Sequence, residues 1–332
     1  MQINLFKALL SFIAFGQCYG LNPPLDVTWR ADNCNGFMFN GASLNQIWDN
    51  AASMALNAQL SIAAVPNTAM QVVTASADDK RAGGNAQLMW GPKYSRATGA
   101  DSTLQGNLQF VTTAYGDALK GLKKTLTGAN NFDLNNAILF CGNTGFQQGI
   151  PPGSSFMSDV WYYEIQTGTA PNQVTEYFVP NYATGFNAPK PCTETGDDAS
   201  YNAMTSMATR IVNGVSTDFV SIMLCPDKKP SQPATLTNPF TTTDNTGNPN
   251  AYSSMAGTIL HEMVHVVGLS RNEDWSDKTN PNDAKGNYGF LKCVALASRL
   301  APNTYKNPDN YRIFAEMSMS PTTEWRAPNP AT

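Results

Sequence analysis

The chain has 332 residues, of which 42% are hydrophobic, 10% aromatic and only 14% charged. That fills one large core or two modest ones and excludes a disordered tail, and Asn, Thr, Ser and Gln make up the shortfall in charge, a balance typical of secreted proteins. With 21 Lys plus Arg against 25 Asp plus Glu, net charge −4 and no basic run, binding to nucleic acid or to an anionic membrane is excluded, since both need clustered positive charge.

Residues 1–20 carry Lys7, an apolar run from Ala8 to Phe15, and small residues at Gly16 and Gly20. This is the layout of a cleaved secretory signal, too short for a membrane span of about 20 apolar residues. The remainder, 21–332, reads as one domain. Leu21-Asn22-Pro23-Pro24 is an extended arm. From Ser43 to Ala64, Ile47, Ala51, Met54, Ala55 and Ala58 recur at helical spacing with Ser43 placed to cap. Strands are expected at Ala137–Cys141, Val160–Ile165, Glu176–Val179 and Phe219–Leu224, each β-branched or aromatic and bounded by Gly, Pro or Asn. Pro226–Asn250 reads as a connector rich in Pro, Thr and Asn. Helices follow at Ser253–Val267, Phe290–Leu300 and Pro308–Met319, the last with Asn307 as cap and Pro308 at its first position. The fold class is therefore α+β, a single domain with a helical C-terminal third.

The six cysteines are Cys18, Cys34, Cys141, Cys192, Cys225 and Cys293. They suit an oxidising compartment, and no two of them make a Cys-x-x-Cys pair. Cleavage after Gly20 removes Cys18 and leaves an odd number; cleavage after Gly16 keeps all six. There is no Asn-x-Ser/Thr sequon.

The chemistry concentrates in one segment. Only two histidines occur in the chain, four residues apart, in His261-Glu262-Met263-Val264-His265. On a helix both imidazoles project from one face about 6 Å apart, a span that one zinc ion bridges. Glu262 sits at the rim of that face, where a carboxylate can act as general base without being a ligand. Ile259, Leu260, Met263, Val264, Val266 and Val267 wrap the helix in apolar side chains. The three polar groups are thus buried and need a partner that offsets their desolvation.

The stretch Ala256-Gly257-Thr258-Ile259-Leu260-His261-Glu262-Met263-Val264-His265, then Tyr288-Gly289, then Asn307-Pro308-Asp309-Asn310-Tyr311-Arg312-Ile313-Phe314-Ala315 resembles the aspzincins, the deuterolysin-like secreted fungal metalloendopeptidases. The resemblance implies a zincin-like domain with one Zn2+ per chain, held by His261, His265 and an aspartate. It also implies that Tyr288 hydrogen-bonds the oxyanion formed on the substrate carbonyl. For the third ligand Asp274 fits the family's distance from the second histidine, and Asp283 better fits closeness to Tyr288. Asp277 is a weaker choice, and Lys285 stands where the family spacing would put the aspartate. A metzincin pattern breaks at Arg271, although Gly268 matches it; a glutamate zincin would draw its ligand from Glu316.

The function expected is a secreted, monomeric zinc metalloendopeptidase acting on protein or peptide substrates, with Glu262 and Tyr288 catalytic. The alternative is a secreted zinc-binding protein of the same fold, a scavenger or surface antigen without turnover; Glu262 favours the enzyme, since a scavenger has no need of a general base.

Overall fold

A computed structural model describes residues 29–91, 93–123, 137–181, 184, 188–193, 202–236, 249–270, 275, 286, 288–299, 301–323 and 325. The signal segment, Cys18, the arm at 21–24, and Asp274, Asp277 and Asp283 lie outside the described residues.

The described chain opens with β1 (Trp29–Asp32), then a small hairpin, β2 (Met38–Phe39) and β3 (Ala42–Ser43), leading into α1 (Leu44–Ala63). Ser43 and Gln46 form a reciprocal capping box at its start. The apolar residues at helical spacing are buried as expected. Next come α2 (Ala69–Thr74), α3 (Ala77–Trp90), a two-stranded ribbon of β4 (Tyr94–Ser95) and β5 (Gly99–Ala100), and α4 (Ser102–Leu122). The sequence reading anticipated neither α3 nor α4. Ser76 with Asp79 boxes the start of the first, and Asp101 accepts the Leu104 N–H at the start of the second.

Six more strands follow: β6 (Ala137–Cys141), β7 (Phe146–Gly149), β8 (Val160–Thr167), β9 (Val174–Pro180), β10 (Ala203–Val212) and β11 (Val215–Leu224). All four expected strands are among them. With β1 they form a seven-stranded sheet in the order β1-β6-β11-β10-β9-β8-β7. Pairing is parallel for β1–β6 and β6–β11 and antiparallel for the rest.

Side chains alternate faces along each strand. Trp29, Ala137, Leu139, Ile222 and Leu224 join the helices in the main core, whereas Ile138, Phe140, Phe219 and Met223 point the other way into a second cluster. That second face covers itself, because the sheet curls. Phe140 of β6 meets Phe146 and Tyr163 at ring distances of 5.2 and 5.3 Å, and the Arg30 guanidinium lies 5.6 Å over Phe178 of β9. Arg30 also reaches Asp32 at 2.5 Å and Glu176 at 3.6 Å, and Arg210 grips Glu176 through two bonds. These charges tolerate burial because they are paired.

The C-terminal part is helical: α5 (Met255–Ser270), α6 (Phe290–Arg299), α7 (Ala301–Thr304) and α8 (Pro308–Ser318). The architecture is thus mixed α+β, with a curled sheet packed by one face against helices. Two details differ from expectation. The helix expected to end at Val267 runs on to Ser270; a Cβ at Gly268 would stand 2.5 Å from the Trp275 ring, so its smallness serves close packing. Asn307 occupies the cap position of α8, but its amide donates to Asn310 Oδ1 at 2.7 Å instead of capping the helix.

The expected connector at 226–250 does more than connect. In its described part, the carbonyls of Pro233 and Ala234 accept the N–H groups of Met255 and Ala256, two of the first donors of α5. Gln232 reaches Ser253 and Thr258, and Ala234 and Leu236 are buried in the main core.

Two disulfides join Cys34 to Cys141 and Cys192 to Cys225, and Cys293 is buried outside both. Disulfides of this kind persist in oxidising compartments. Among the described residues no helix is long and apolar enough to cross a membrane.

Candidate metal centre

Helix α5 carries His261, Glu262 and His265 through the middle of the main core, packed against α1, α4, α8 and β10. Its N-terminus is set by Ser254, whose hydroxyl accepts the Gly257 N–H at 2.9 Å, and by the Pro233–Ala234 strap. From β10, the Thr205 hydroxyl donates to the Glu262 carbonyl at 3.1 Å. One turn of helix places the two imidazoles on the same face, with ring centroids 5.1 Å apart. His261 and Glu262 are buried and His265 is half-buried.

Each histidine has its Nδ1 engaged. His265 Nδ1 lies 2.7 Å from the carbonyl of Trp275. A carbonyl can only accept, so the proton sits on Nδ1 and the lone pair on Nε2. His261 Nδ1 lies 3.2 Å from Asp309 Oδ1, at the start of α8, and its proton is placed by the same logic against an ionised carboxylate. Burial alone would raise the Asp309 pKa, but Arg312 beside it and the hydrogen bonds from His261 and Arg312 hold the carboxyl far below the usual carboxylate range. Its position in the first turn of α8 adds the favourable end of the helix dipole. Both rings are thereby held in the tautomer that presents Nε2 as a ligand, which is how metal-binding histidines are oriented.

Behind Asp309 the polar chain continues along α8. Arg312 Nε donates to Asp309 Oδ1 at 2.6 Å and Nη2 to Oδ2 at 3.1 Å. Its Nη1 bonds both oxygens of Glu316, each at 2.9 Å. All eleven residues of α8 are buried, so Asp309, Arg312 and Glu316 form a charged stripe on a helix that meets no water. Desolvation would lower the Arg312 pKa, but the two flanking carboxylates raise it above its ordinary value. Glu316 is pushed up to about 7 by burial, with Arg312 pulling against that shift. The Glu316 carboxylate is committed to Arg312 and packs where a Cβ on Gly257 would touch it at 2.5 Å; Gly257 lies one turn before His261.

Tyr288 stands on the open side of the centre, 40% exposed, with its ring stacked on His261 at 5.9 Å and 18°. The next residue, Gly289, has φ +84°, and its N–H donates to Asp309 Oδ2 at 2.5 Å. One carboxylate therefore orients a histidine and pins the backbone beside Tyr288. Glu262 is 5% exposed and directly follows His261 on α5.

The structure thus brings together His261, Glu262, His265 and Tyr288 of the residues singled out in the sequence. Asp274 and Asp283 are outside the described residues, and among the described residues no group of three His, Cys, Asp or Glu is arranged to hold a metal. The sequence reading gave no role to Asp309, Arg312 or Trp275. A usable signal existed for the first two: charges at 309, 312 and 316 share one face of a helix whose other residues are largely apolar. No such signal marks Trp275, which acts through its backbone. Compared with family models, curated proteins and solved structures, the chain matches none of them.

Proposed function

We propose that the chain is a secreted zinc metalloendopeptidase of zincin-like fold. The observation that carries this reading is the pair of histidines, with both Nδ1 atoms held by acceptors and the buried Glu262 next to the first of them on the same helix. His261 and His265 would hold the ion through Nε2, with an aspartate as third ligand. Asp274 is favoured over Asp283 because it directly precedes Trp275, whose carbonyl meets His265. When bound, zinc lowers the pKa of water and polarises a carbonyl oxygen. Glu262 takes the proton of the attacking water and returns it to the leaving amine. Tyr288 donates its hydroxyl proton in a hydrogen bond to the oxyanion.

In this reading an extended peptide substrate would lie along β10. Strand β10 pairs with β9 only over Ala208–Val212, so among the described residues the half from Ala203 to Met207 lacks a neighbour on that side, next to the helix that carries the histidines. An extended substrate adds to such an edge through backbone bonds.

The test is digestion of a denatured protein by the purified mature chain. Cleavage that stops with chelator and returns with zinc is the expected result. Glu262→Gln should abolish cleavage while the zinc content stays at one per chain. A wild-type chain that binds zinc and cleaves nothing assigns the scavenger role instead; a chain that takes up no zinc removes both.

A further inference from the structure

We infer that Arg312 is a positioning residue of the centre, acting through Asp309 on His261 and on the Tyr288–Gly289 backbone, with Glu316 as its counter-charge. The inference rests on the metal reading above and adds the device that keeps the histidine ready.

Asp309 faces four nitrogen donors with two oxygens, and the Cys293 thiol lies 3.9 Å from Oδ2. Oδ1 takes His261 Nδ1 and Arg312 Nε, and Oδ2 takes the Gly289 N–H and Arg312 Nη2. A carboxylate on a short side chain can rotate about its last bond, and a single partner would not stop it. The planar guanidinium does, because two parallel bonds fix both oxygens in one plane. With the plane fixed, Oδ1 stays on His261 and Oδ2 on Gly289. Arg312 is 9% exposed and Glu316 1%, so neither charge is held by water. Glu316 bonds the Nη1 nitrogen of Arg312, the one not used on Asp309, so the guanidinium lies between the two carboxylates.

Carboxylates that hold a metal-binding histidine are themselves held, and losing such support weakens metal binding by roughly 10–100-fold. A lysine at 312 would keep the charge but offer a single point of contact, releasing the carboxylate plane.

The chain's two histidines make the test direct. Imidazole nitrogen NMR of metal-free protein at about pH 9, where free histidine is neutral, gives two spin systems to assign. In the wild type both should show the Nδ1–H form. Arg312→Lys should shift His261 to a mixture of tautomers and leave His265, which is held by Trp275, unchanged. A general loss of structure would move both. Should the lysine variant fail to fold, the double variant Arg312→Met, Glu316→Leu removes the guanidinium together with its second counter-charge and leaves Asp309 to the His261 and Gly289 donors. Zinc affinity measured against a competing chelator should fall about tenfold or more in either variant. If His261 keeps its Nδ1–H form and zinc affinity is unchanged, Arg312 has no positioning role. If the wild type binds no zinc, the metal reading fails, while the tautomer comparison still decides the relay.

Discussion

At the residue scale, the sign of a substitution follows from what stands within reach of a new methyl group. Glycine in a helix costs about 1 kcal/mol relative to alanine. Gly84 in α3 has nothing within 4 Å of an added Cβ, so Gly84→Ala should raise stability by about 0.5–1 kcal/mol. Gly257 is the opposite case, because its Cβ would meet Glu316 Oε1, and that oxygen is locked by Arg312. Gly257→Ala should lower stability by about 1–3 kcal/mol despite the better propensity. Chemical denaturation of the two variants checks both signs. The third-ligand proposal sits at the same scale: of Asp274→Ala and Asp283→Ala, the first should weaken zinc binding by orders of magnitude and the second leave it nearly unchanged, as read by chelator competition. Normal binding in both, with binding lost in Glu316→Ala, would reject the aspartate assignment.

At the scale of elements, α8 is the unusual one: a helix buried on every side that carries three charges. Glu316 titrates there near 7, above its ordinary value, because burial outweighs the pull of Arg312; Asp309 adds repulsion, and a backbone bond from Ser254 pulls down. A raised carboxylate pKa means that the folded chain binds the proton more tightly than the unfolded one. This group's share of stability is therefore full below about 4.5 and is lost as pH rises to about 7. The thermal midpoint of metal-free wild type should decline across that window relative to Glu316→Gln, by an amount equivalent to roughly 3 kcal/mol. Parallel curves would show that Arg312 holds Glu316 ionised throughout. Much of this element was legible: its limits, its leading proline and its place in the motif all follow from Asn307 to Ala315. The contacts of its charges were not, because the partners of Asp309 on His261 and Gly289 are 48 and 20 residues away in the chain. Helices α3 and α4 were missed for a different reason. Gly83 and Gly84 interrupt the first, and Gly106, Gly116 and Gly121 the second, and glycine lowers helix propensity. The capping residues Ser76 and Asp101, with Leu104, Leu108, Val111, Tyr115 and Leu122 at helical spacing in α4, were the signals that outweighed it. Strand β10 escaped because its polar residues, Thr205, Ser206, Thr209 and Arg210, resemble a loop until a partner strand is known.

At the scale of the whole molecule, the two disulfides close loops of different length. Cys34–Cys141 spans 107 residues and Cys192–Cys225 spans 33. Chain-entropy arguments assign about 4.8 and about 3.7 kcal/mol to loops of those sizes. Replacing both cysteines of the first pair by alanine should lower the denaturation midpoint more than replacing both of the second. The first bridge also ties β1 to β6, the side of the sheet that curls back toward β9, so its loss should loosen the Arg30 contact with Glu176 as well. An equal or reversed order would show that local packing, and not loop length, sets the contribution.

The Pro233–Ala234 strap has a consequence for how long such a protein survives at high concentration. Two of the first donors of the histidine-bearing helix depend on carbonyls in this segment, and Asn40 donates to the carbonyls of Pro230 and Gln232 nearby. A single cut there would untie the start of α5 without touching any residue of the centre, so on the peptidase function proposed above self-digestion would end activity at its support. Pro226, Pro230 and Pro233 are spaced through the same eight residues, and proline beside a scissile bond resists the extended fit that β-strand addition requires. The strap is thus armoured at the place where damage by a neighbouring copy would cost the most, and replacing Pro230 and Pro233 by alanine should shorten the half-life of a concentrated active preparation while a Glu262→Gln background stays intact.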